Sequence, residues 1–252
     1  MIILVSNDDG VHSPGLHLLA ERLGALGEVY VVAPDRERTA ASHALTLHKP
    51  LRVECLKERV YSVNGTPTDC VNLAVNHILP EKPALLASGI NKGGNLGDDV
   101  TYSGTVSAAM EGILLGIPSF AVSLVAKKDF NFEGAADFSL KLGTQILKRG
   151  LPHYTLLNVN VPNLPSKEIQ GVQMTSLGKR IYDEDLVIEN IDPRGKHYYW
   201  IAGNQIRWEE GKETDNIAID SNQISVTPVH LDLTHYDALP KLKAWLPDLN
   251  PS

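Results

Sequence analysis

Short apolar runs alternate with stretches of helical periodicity along the first part of the chain. Between the runs, leucines recur at helical spacing from residue 16 to residue 26, and a similar pattern spans residues 71–79. This alternation predicts a Rossmann-like α/β fold, a three-layer α/β/α core whose mostly parallel sheet carries helices on both faces. The runs that we interpret as buried strands are residues 2–6, 29–33, 84–88, 119–123 and 155–160.

The pattern changes after Pro165, where helical periodicity becomes sparse. Two aromatic-rich runs, residues 198–201 and 205–208, flank Gly203-Asn204 and predict a β-hairpin. A hairpin with this many aromatic residues is typical of packing or of a contact between subunits.

The last part of the chain adds two predicted elements. Residues 223–229 predict a further strand, and residues 239–246 predict a short final helix. We therefore expect an α/β core at residues 1–165 and a C-terminal part, which contains the hairpin, at residues 166–252. The strand at 223–229 could rejoin a core.

Composition and charge argue against several classes of protein. The formal net charge of -7, without a long run of Lys or Arg, disfavours binding to a nucleic acid polymer or to an anionic membrane. Cys55 and Cys70 lie far apart, so neither a disulfide framework nor a thiolate zinc site is indicated. No apolar run approaches the roughly 20 residues of a membrane span, and no basic segment precedes the first strand. We therefore expect a cytoplasmic protein.

Two adjacent acids end the first predicted strand, within the run Ser6-Asn7-Asp8-Asp9-Gly10. Neighbouring carboxylates repel each other and lose hydration when they are half buried, which favours a bound cation. The alternative interpretation is a solvated turn, because Asn, Asp and Gly are common turn residues.

Polar loops also follow other predicted strands, and they comprise residues 34–39 and the glycine-rich residues 89–99. The carboxyl ends of parallel strands meet at one edge of a sheet, where ligands bind. The loops offer carboxylate, hydroxyl and amide oxygens without Cys or His, which favours Mg²⁺, Mn²⁺ or Ca²⁺ over zinc or copper. Asp98 and Asp99 could form a second metal pair, but their distance from the strand end favours a surface or capping role.

A possible anion site follows the glycine-rich loop, where Tyr102-Ser103-Gly104-Thr105 runs into a helical stretch at residues 106–115. Free backbone N–H groups, two hydroxyls and the positive end of the helix dipole suit a phosphate group. Ordinary N-capping is the alternative, and one turn can serve both roles. The glycine-rich loop itself matches neither the Rossmann fingerprint nor the P-loop pattern.

Several other side chains near these loops have two interpretations. Arg36, Arg38 and Lys92 could neutralise phosphate charge, although Arg36 could equally pair with a neighbouring acid. His43 could donate a proton to a leaving group, but a packing or solvated role is more common for a histidine. The run Thr66-Pro67-Thr68-Asp69 has the pattern of a capped helix start, which gives it a structural role.

Four stretches match, in order and spacing, the motifs of one known family, and Ser225-Val226-Thr227-Pro228 extends the match. The four are Ser6-Asn7-Asp8-Asp9-Gly10-Val11, Ala33-Pro34-Asp35-Arg36, Gly65-Thr66-Pro67-Thr68-Asp69-Cys70, and Ser88-Gly89-Ile90-Asn91 through Ser103-Gly104-Thr105. On these motifs the chain resembles the SurE (survival protein E) family of metal-dependent 5'- and 3'-nucleotidases.

The resemblance implies which residues form the site. Asp8 and Asp9 are the expected catalytic residues, and Thr39 retains the hydroxyl of a serine that is common in the family. The residues that match the metal ligands are Asp8, Asp9, Thr39 and Asn91. The residues that match the phosphate pocket are Asn95, Ser103, Gly104 and Thr105.

The resemblance also implies an activity and an assembly. The activity is a 5'-nucleotidase that hydrolyses nucleoside 5'-monophosphates, with 3'-monophosphates as further candidates, by attack of a metal-activated water. One Mg²⁺ or Mn²⁺ per subunit is expected, and Ca²⁺ could replace it in crystals. Residues 1–165 would be the catalytic core, and a C-terminal arm within residues 166–252 would exchange between subunits of a homodimer or homotetramer. Asp232 matches a hinge-region acid, and His235 is the nearby histidine.

Two other functions stay open at this point. A phosphatase could use Asp8 as a covalent nucleophile, although two acids that share a metal have less freedom for in-line attack. A non-catalytic nucleotide sensor is the second, but paired acids would repel a phosphate if no metal were present. A dinucleotide-dependent oxidoreductase is disfavoured, because the first strand turn lacks the glycine fingerprint.

Overall fold

The structure, a computed structural model, describes residues 1–181, 187–201 and 207–249. The strands are β1 Ile2–Ser6, β2 Glu28–Pro34, β3 Val53–Lys57, β4 Val60–Val63, β5 Leu85–Lys92, β6 Ser119–Val125, β7 Thr155–Pro162, β8 Val172–Met174, β9 Arg180–Ile181, β10 Val187–Ile191, β11 His197–Ile201, β12 Arg207–Trp208 and β13 Ile224–His230. The helices are α1 Pro14–Leu23, α2 Pro67–Leu73, α3 Gly104–Leu114, α4 Glu133–Arg149, α5 Asp215–Asp220, α6 Leu239–Lys243 and α7 Leu246–Leu249.

The five core strands predicted from apolar runs are confirmed as β1, β2, β5, β6 and β7. They belong to a nine-stranded sheet with the order β3-β4-β2-β1-β5-β6-β7-β13-β8. Pairing is parallel except between β3 and β4 and between β7 and β13. Strand order reverses between β1 and β5, and in open α/β sheets the crevice outside such a reversal is where ligands bind.

Helices cover both faces of the sheet, which confirms the three-layer architecture. Ile3 and Val5 of β1 belong to a buried cluster with α1 and α4, whereas Leu4 belongs to a cluster with α2 and α3. Side chains alternate between the two faces of a strand, so a fully apolar strand must lie between two helical layers. The leucines at positions 16, 19 and 23 are fully buried, as their helical spacing predicted.

The predicted capped start of α2 is confirmed. The hydroxyl of Thr66 accepts a hydrogen bond from the Asp69 amide at 3.0 Å, and the Asp69 carboxylate accepts one from the Thr66 amide at 2.8 Å. This reciprocal pair satisfies two N–H groups that the helix leaves free. The run therefore has a structural role.

The predicted pairing of the aromatic hairpin is wrong. Strand β11, which contains residues 198–201, pairs with β10, and β12 pairs with β9. The turn between β10 and β11 is closed by Asp192, whose carboxylate accepts N–H groups of Arg194 and Lys196 at 2.8 Å. The predicted turn Gly203-Asn204 and the neighbouring residues 205–206 lie outside the described residues.

The C-terminal strand joins the large sheet. The strand predicted at residues 223–229 is confirmed as β13, which lies between β7 and β8. The single helix predicted at residues 239–246 is two short helices, α6 and α7, and the division of the chain at residue 165 stays a prediction. Within the described ranges, no helix is both long and apolar enough to cross a membrane.

Candidate active site

An open cleft of about 280 Å³ lies at the carboxyl edge of the sheet, outside the ends of β1 and β5. The four residues predicted as metal ligands line this cleft, together with two of the four residues predicted for phosphate. The lining residues are Asp8, Asp9, Glu37, Thr39, Ala40, Asn91, Lys92, Asn95, Asp99, Tyr102 and Ser103. The polar strand ends therefore meet, as expected for a parallel sheet.

Asp8 is held against the first turn of α3. Its side chain is buried, and its carboxylate accepts a hydrogen bond from the hydroxyl of Thr105. A Cβ atom on Gly104 would lie 2.8 Å from the Asp8 Cβ and 2.9 Å from its Oδ2, which is too close for carbon. Gly104 and Thr105 thus act on the site through Asp8, although neither is among the residues that line the cleft.

The acid pair is electrostatically unfavourable without a cation. Burial raises the pKa of Asp8 to about 6, the Thr105 hydrogen bond lowers it, and the charge of Asp9 raises it. Burial also raises the pKa of Asp9, against the opposing hydrogen bond from the Lys92 amide at 3.2 Å. A divalent ion would offset both charges.

Neutral oxygen ligands complete the predicted set. The amide nitrogen of Asn91 donates to the Gly93 carbonyl at 2.9 Å, so its Oδ1 is the atom that a metal would use. The hydroxyl of Thr39 lies in the cleft and donates to Glu37. Within the part of the chain that the structure describes, no group of three or more His, Cys, Asp or Glu could hold a metal. Two carboxylates with a hydroxyl and an amide oxygen fit a hard divalent ion.

An irregularity in the sheet precedes Asn91. The register between β5 and β6 shifts between Ser88 and Asn91, and the Gly89-Ile90 peptide bond is cis. Register shifts of this kind often redirect a side chain beside a functional site. The hydrophobic pattern around Gly89 and Ile90 did not indicate this register shift.

Asn95 is fixed by polar side chains that the sequence analysis missed. Its amide N–H donates to Asn160 at 2.8 Å, and its carbonyl accepts from Asn158 at 2.9 Å and from Asn160 at 3.0 Å. Its side-chain nitrogen donates to Ser123 at 2.7 Å. Asn158 and Asn160 are fully buried in β7, and two polar residues at alternate positions of an apolar strand could have indicated their role.

Ser103 serves as the N-cap of α3. Its hydroxyl oxygen accepts the amide N–H of Val106 at 3.1 Å, which is the capping role considered from the sequence. The hydroxyl proton remains able to donate, and Ser103 lines the cleft. Capping and anion binding are therefore compatible at this turn.

Several other candidate side chains lie elsewhere or bind other groups. Arg38 contacts Asp35 at 3.0 Å, and Arg36 is not among the lining residues, whereas Lys92 lines the cleft. Asp99 binds Arg180 at 2.8 Å. His43 contacts Glu111 of α3 at 2.9 Å and is not among the residues that line the cleft.

Comparisons with known proteins agree with the geometry. The model of the family described as "Survival protein SurE" matches residues 3–184. "5'-nucleotidase SurE" of Geotalea uraniireducens is 53% identical over 97% of this chain and 99% of the relative. The protein of the same name from Geobacter sulfurreducens is 54% identical over 97% of this chain and 94% of the relative. The crystal structure of the SurE protein from Aquifex aeolicus superposes with a TM-score of 0.89 at 46% identity, over 98% of this chain and 100% of that chain.

Proposed function

The chain belongs to the survival protein SurE family, and from this premise we propose that it is a metal-dependent 5'-nucleotidase. It hydrolyses a nucleoside 5'-monophosphate to a nucleoside and phosphate. One observation carries the proposal, namely that the buried Asp8 and the half-buried Asp9 face the same cleft as the N-cap of α3. The acids need a cation, and the helix start suits a phosphate.

The metal ligands in this proposal are Asp8, Asp9, Thr39 and Asn91, which would hold one Mg²⁺ or Mn²⁺ per subunit. A bound divalent ion neutralises phosphoryl charge and lowers the pKa of the attacking water. Thr105 fixes the Asp8 carboxylate by its hydrogen bond, and Gly104 leaves room for that carboxylate. The cytoplasmic location stays a prediction from the sequence.

Phosphate would be positioned by the glycine-rich loop and the start of α3. The backbone of Asn95 is held by Asn158 and Asn160, and its side-chain nitrogen donates to Ser123, so its side chain is ordered before substrate binds. Ser103 and the amide N–H of Gly104, at the start of α3, would donate to phosphoryl oxygens, whereas the Val106 amide is already bonded to the Ser103 hydroxyl. Phosphoryl transfer depends mainly on positioning and charge neutralisation, which these groups can supply.

The geometry argues against Asp8 as a covalent nucleophile. One of its carboxylate oxygens accepts the Thr105 hydroxyl, and the other lies against Gly104. If both acids also hold the metal, Asp8 has less freedom for in-line attack on phosphorus. Water attack therefore explains the site better than an aspartyl-phosphate does.

The proposal is tested by phosphate release from nucleoside 5'- and 3'-monophosphates, an aryl phosphate and tripolyphosphate. Each substrate is assayed after chelation and again with Mg²⁺ or Mn²⁺ restored. Metal-dependent release that favours nucleotides supports the proposal. Release from the aryl phosphate alone would exclude the nucleotide assignment, and nucleotide binding without release would favour a sensor.

Metal affinity should depend on pH, because a metal competes with a proton for Asp8. The pKa of Asp8 is raised to about 6, so apparent Mn²⁺ affinity should fall by about tenfold per pH unit below that value. In the metal-free protein the same raised pKa makes Asp8 destabilising when ionised, so the free energy of unfolding should decrease as the pH rises from about 4 to about 6. Titration calorimetry with Mn²⁺ measures the affinity over this pH range, and thermal unfolding in the presence of a chelator measures the stability of the metal-free protein. A Mn²⁺ affinity that does not change with pH would contradict the assignment of Asp8 as a ligand.

We propose that residues 232–249 form the arm that exchanges between subunits of a homodimer or homotetramer. Apolar side chains along it are exposed, including Leu233, Trp245 and Leu249. At the expected hinge, Asp232 accepts hydrogen bonds from the Thr234 amide and the Tyr236 hydroxyl. Such an exposed apolar stretch is typical of an interaction site.

Truncation after Leu231 should reduce the oligomer to a smaller species, because it removes the arm and retains β13. Truncation after Ser221 would also remove β13 from the sheet, so a loss of assembly could not be distinguished from a loss of folding. Light scattering after size-exclusion chromatography measures the mass, and truncation after Leu249 is the control. An unchanged mass for the protein cut after Leu231 would contradict the arm assignment.

A further inference from the structure

A buried carboxylate outside the cleft binds the glycine-rich loop. Asp215, the first residue of α5, has no exposed surface. It accepts the amide N–H of Gly97 at 2.7 Å and the amide N–H groups of Gly178 and Asn216 at 2.9 Å. Burial raises the pKa of Asp215, and these three donors lower it, so the donors favour the charged form.

The segments joined by Asp215 are in close contact. Gly97 has a φ of +54°, and a Cβ there would lie 2.4 Å from the Gly178 carbonyl oxygen and 2.6 Å from the Trp208 ring. A Cβ on Gly178 would lie 2.4 Å from the Asn216 Oδ1 and 3.1 Å from the Asp215 Oδ1. Glycine at positions 97 and 178 is what allows the glycine-rich loop, α5 and the chain around Gly178 to approach this closely.

The joined segment leads directly to the groups expected to bind phosphate. Gly97 begins the 3₁₀ turn Gly97–Thr101, which connects Asn95 to Ser103. The same turn is held at two more points, because Asp98 accepts the Arg180 amide at 3.1 Å and Asp99 accepts its guanidinium at 2.8 Å. Asn95 is held by a different set of contacts, with the side chains of Asn158 and Asn160 in β7. The turn is therefore fixed to the C-terminal part of the chain mainly through Asp215 and Arg180.

We propose that Asp215 is a positioning residue for the phosphate, which it serves by holding the glycine-rich loop against α5. This inference rests on the proposed function, because it assigns the loop to the phosphate of the substrate. A carboxylate accepts all three N–H groups at once, whereas an asparagine offers one oxygen and an NH₂ group that cannot accept. Asp215 binds the far end of the loop at Gly97, whereas the metal ligand Asn91 lies at the start of the loop, inside β5, so metal affinity should not depend on Asp215.

The test compares Asp215→Asn with wild type and with Asp220→Asn, which changes an exposed acid at the other end of α5. We expect Asp215→Asn to raise KM for a nucleoside monophosphate by about tenfold, with a smaller change in kcat. Titration calorimetry of inorganic phosphate into Mn²⁺-loaded protein should show a similar loss of affinity, whereas Mn²⁺ affinity stays within about twofold. Asp220→Asn should match wild type in each measurement.

A second variant keeps the test decisive if Asp215→Asn does not fold. Gly178→Ala disturbs the same contact from the neighbouring segment, so it should weaken phosphate binding in the same way. If the folded variants lose thermal stability but keep the wild-type KM and phosphate affinity, Asp215 is only a structural residue and the inference is wrong. If wild type releases no phosphate from nucleotides, the proposed function fails, and the phosphate titration still decides the role of Asp215.

Discussion

Asp8→Asn should lower the rate of nucleotide hydrolysis by on the order of a thousandfold while the fold stays intact. The change keeps the size of the side chain and its contact with Gly104, but it removes one of two charges that bind the metal. It also removes a buried charge, and the raised pKa of Asp8 shows that this charge is unfavourable without metal. In the presence of a chelator, the variant should therefore unfold at a temperature no lower than that of wild type.

The measurements for this variant are phosphate release with saturating Mn²⁺, Mn²⁺ titration calorimetry and thermal unfolding. Asp129→Asn is the matched control, because Asp129 is an exposed acid far along the chain from the cleft residues, and its positive φ suits asparagine. Wild-type phosphate release by Asp8→Asn would exclude the assignment of Asp8 as a metal ligand.

Gly104→Ala should lower kcat/KM by on the order of a hundredfold, since the new methyl group displaces the Asp8 carboxylate. Its Cβ would lie 2.8 Å from the Asp8 Cβ, and neither atom is at the end of a flexible chain. Overpacking should also lower the free energy of unfolding by about 1–3 kcal/mol. Alanine is otherwise favourable at a helix start, so any loss of activity comes from this contact.

Gly134→Ala is the control for this substitution. Gly134 also lies near the start of a helix, and a Cβ there meets its nearest neighbour at 3.6 Å, which is ordinary contact. Activity and melting temperature should match wild type in the control and fall together in Gly104→Ala. Wild-type kcat/KM in Gly104→Ala would mean that Asp8 can move without loss, which is inconsistent with a fixed metal ligand.

Much of the fold could be predicted because the decisive signals are local. The core strands are continuous apolar runs, and such runs must be buried between two helical layers. Helix α4 was not among the predicted elements, although Phe138, Leu142 and Ile146 recur at helical spacing along it and pack against the core. The pairing of β11 was wrong because a strand's partner is set by contacts elsewhere in the chain, here with β10, and not by the nearest glycine-asparagine pair.

The site was predictable where polar groups follow strands directly. Asp8 and Asp9 follow β1 closely, Asn91 lies near the carboxyl end of β5, and their meeting follows from the parallel sheet. The groups that hold the site were missed, because Asn160 and Asp215 lie far along the chain from the loop that they bind. The alternation of Asn158 and Asn160 in an apolar strand is a signal of a polar role, but only the folded geometry identifies the backbone groups that Asn160 and Asp215 bind.

The assignment of the cleft as the reaction centre is tested most directly by a crystal structure with Mn²⁺ and phosphate, in which anomalous scattering locates the metal. We expect one Mn²⁺ peak per chain in contact with Asp8, Asp9, Thr39 and Asn91, with phosphate beside Asn95 and the first turn of α3. A metal peak at another place, with no phosphate in this cleft, would contradict the assignment.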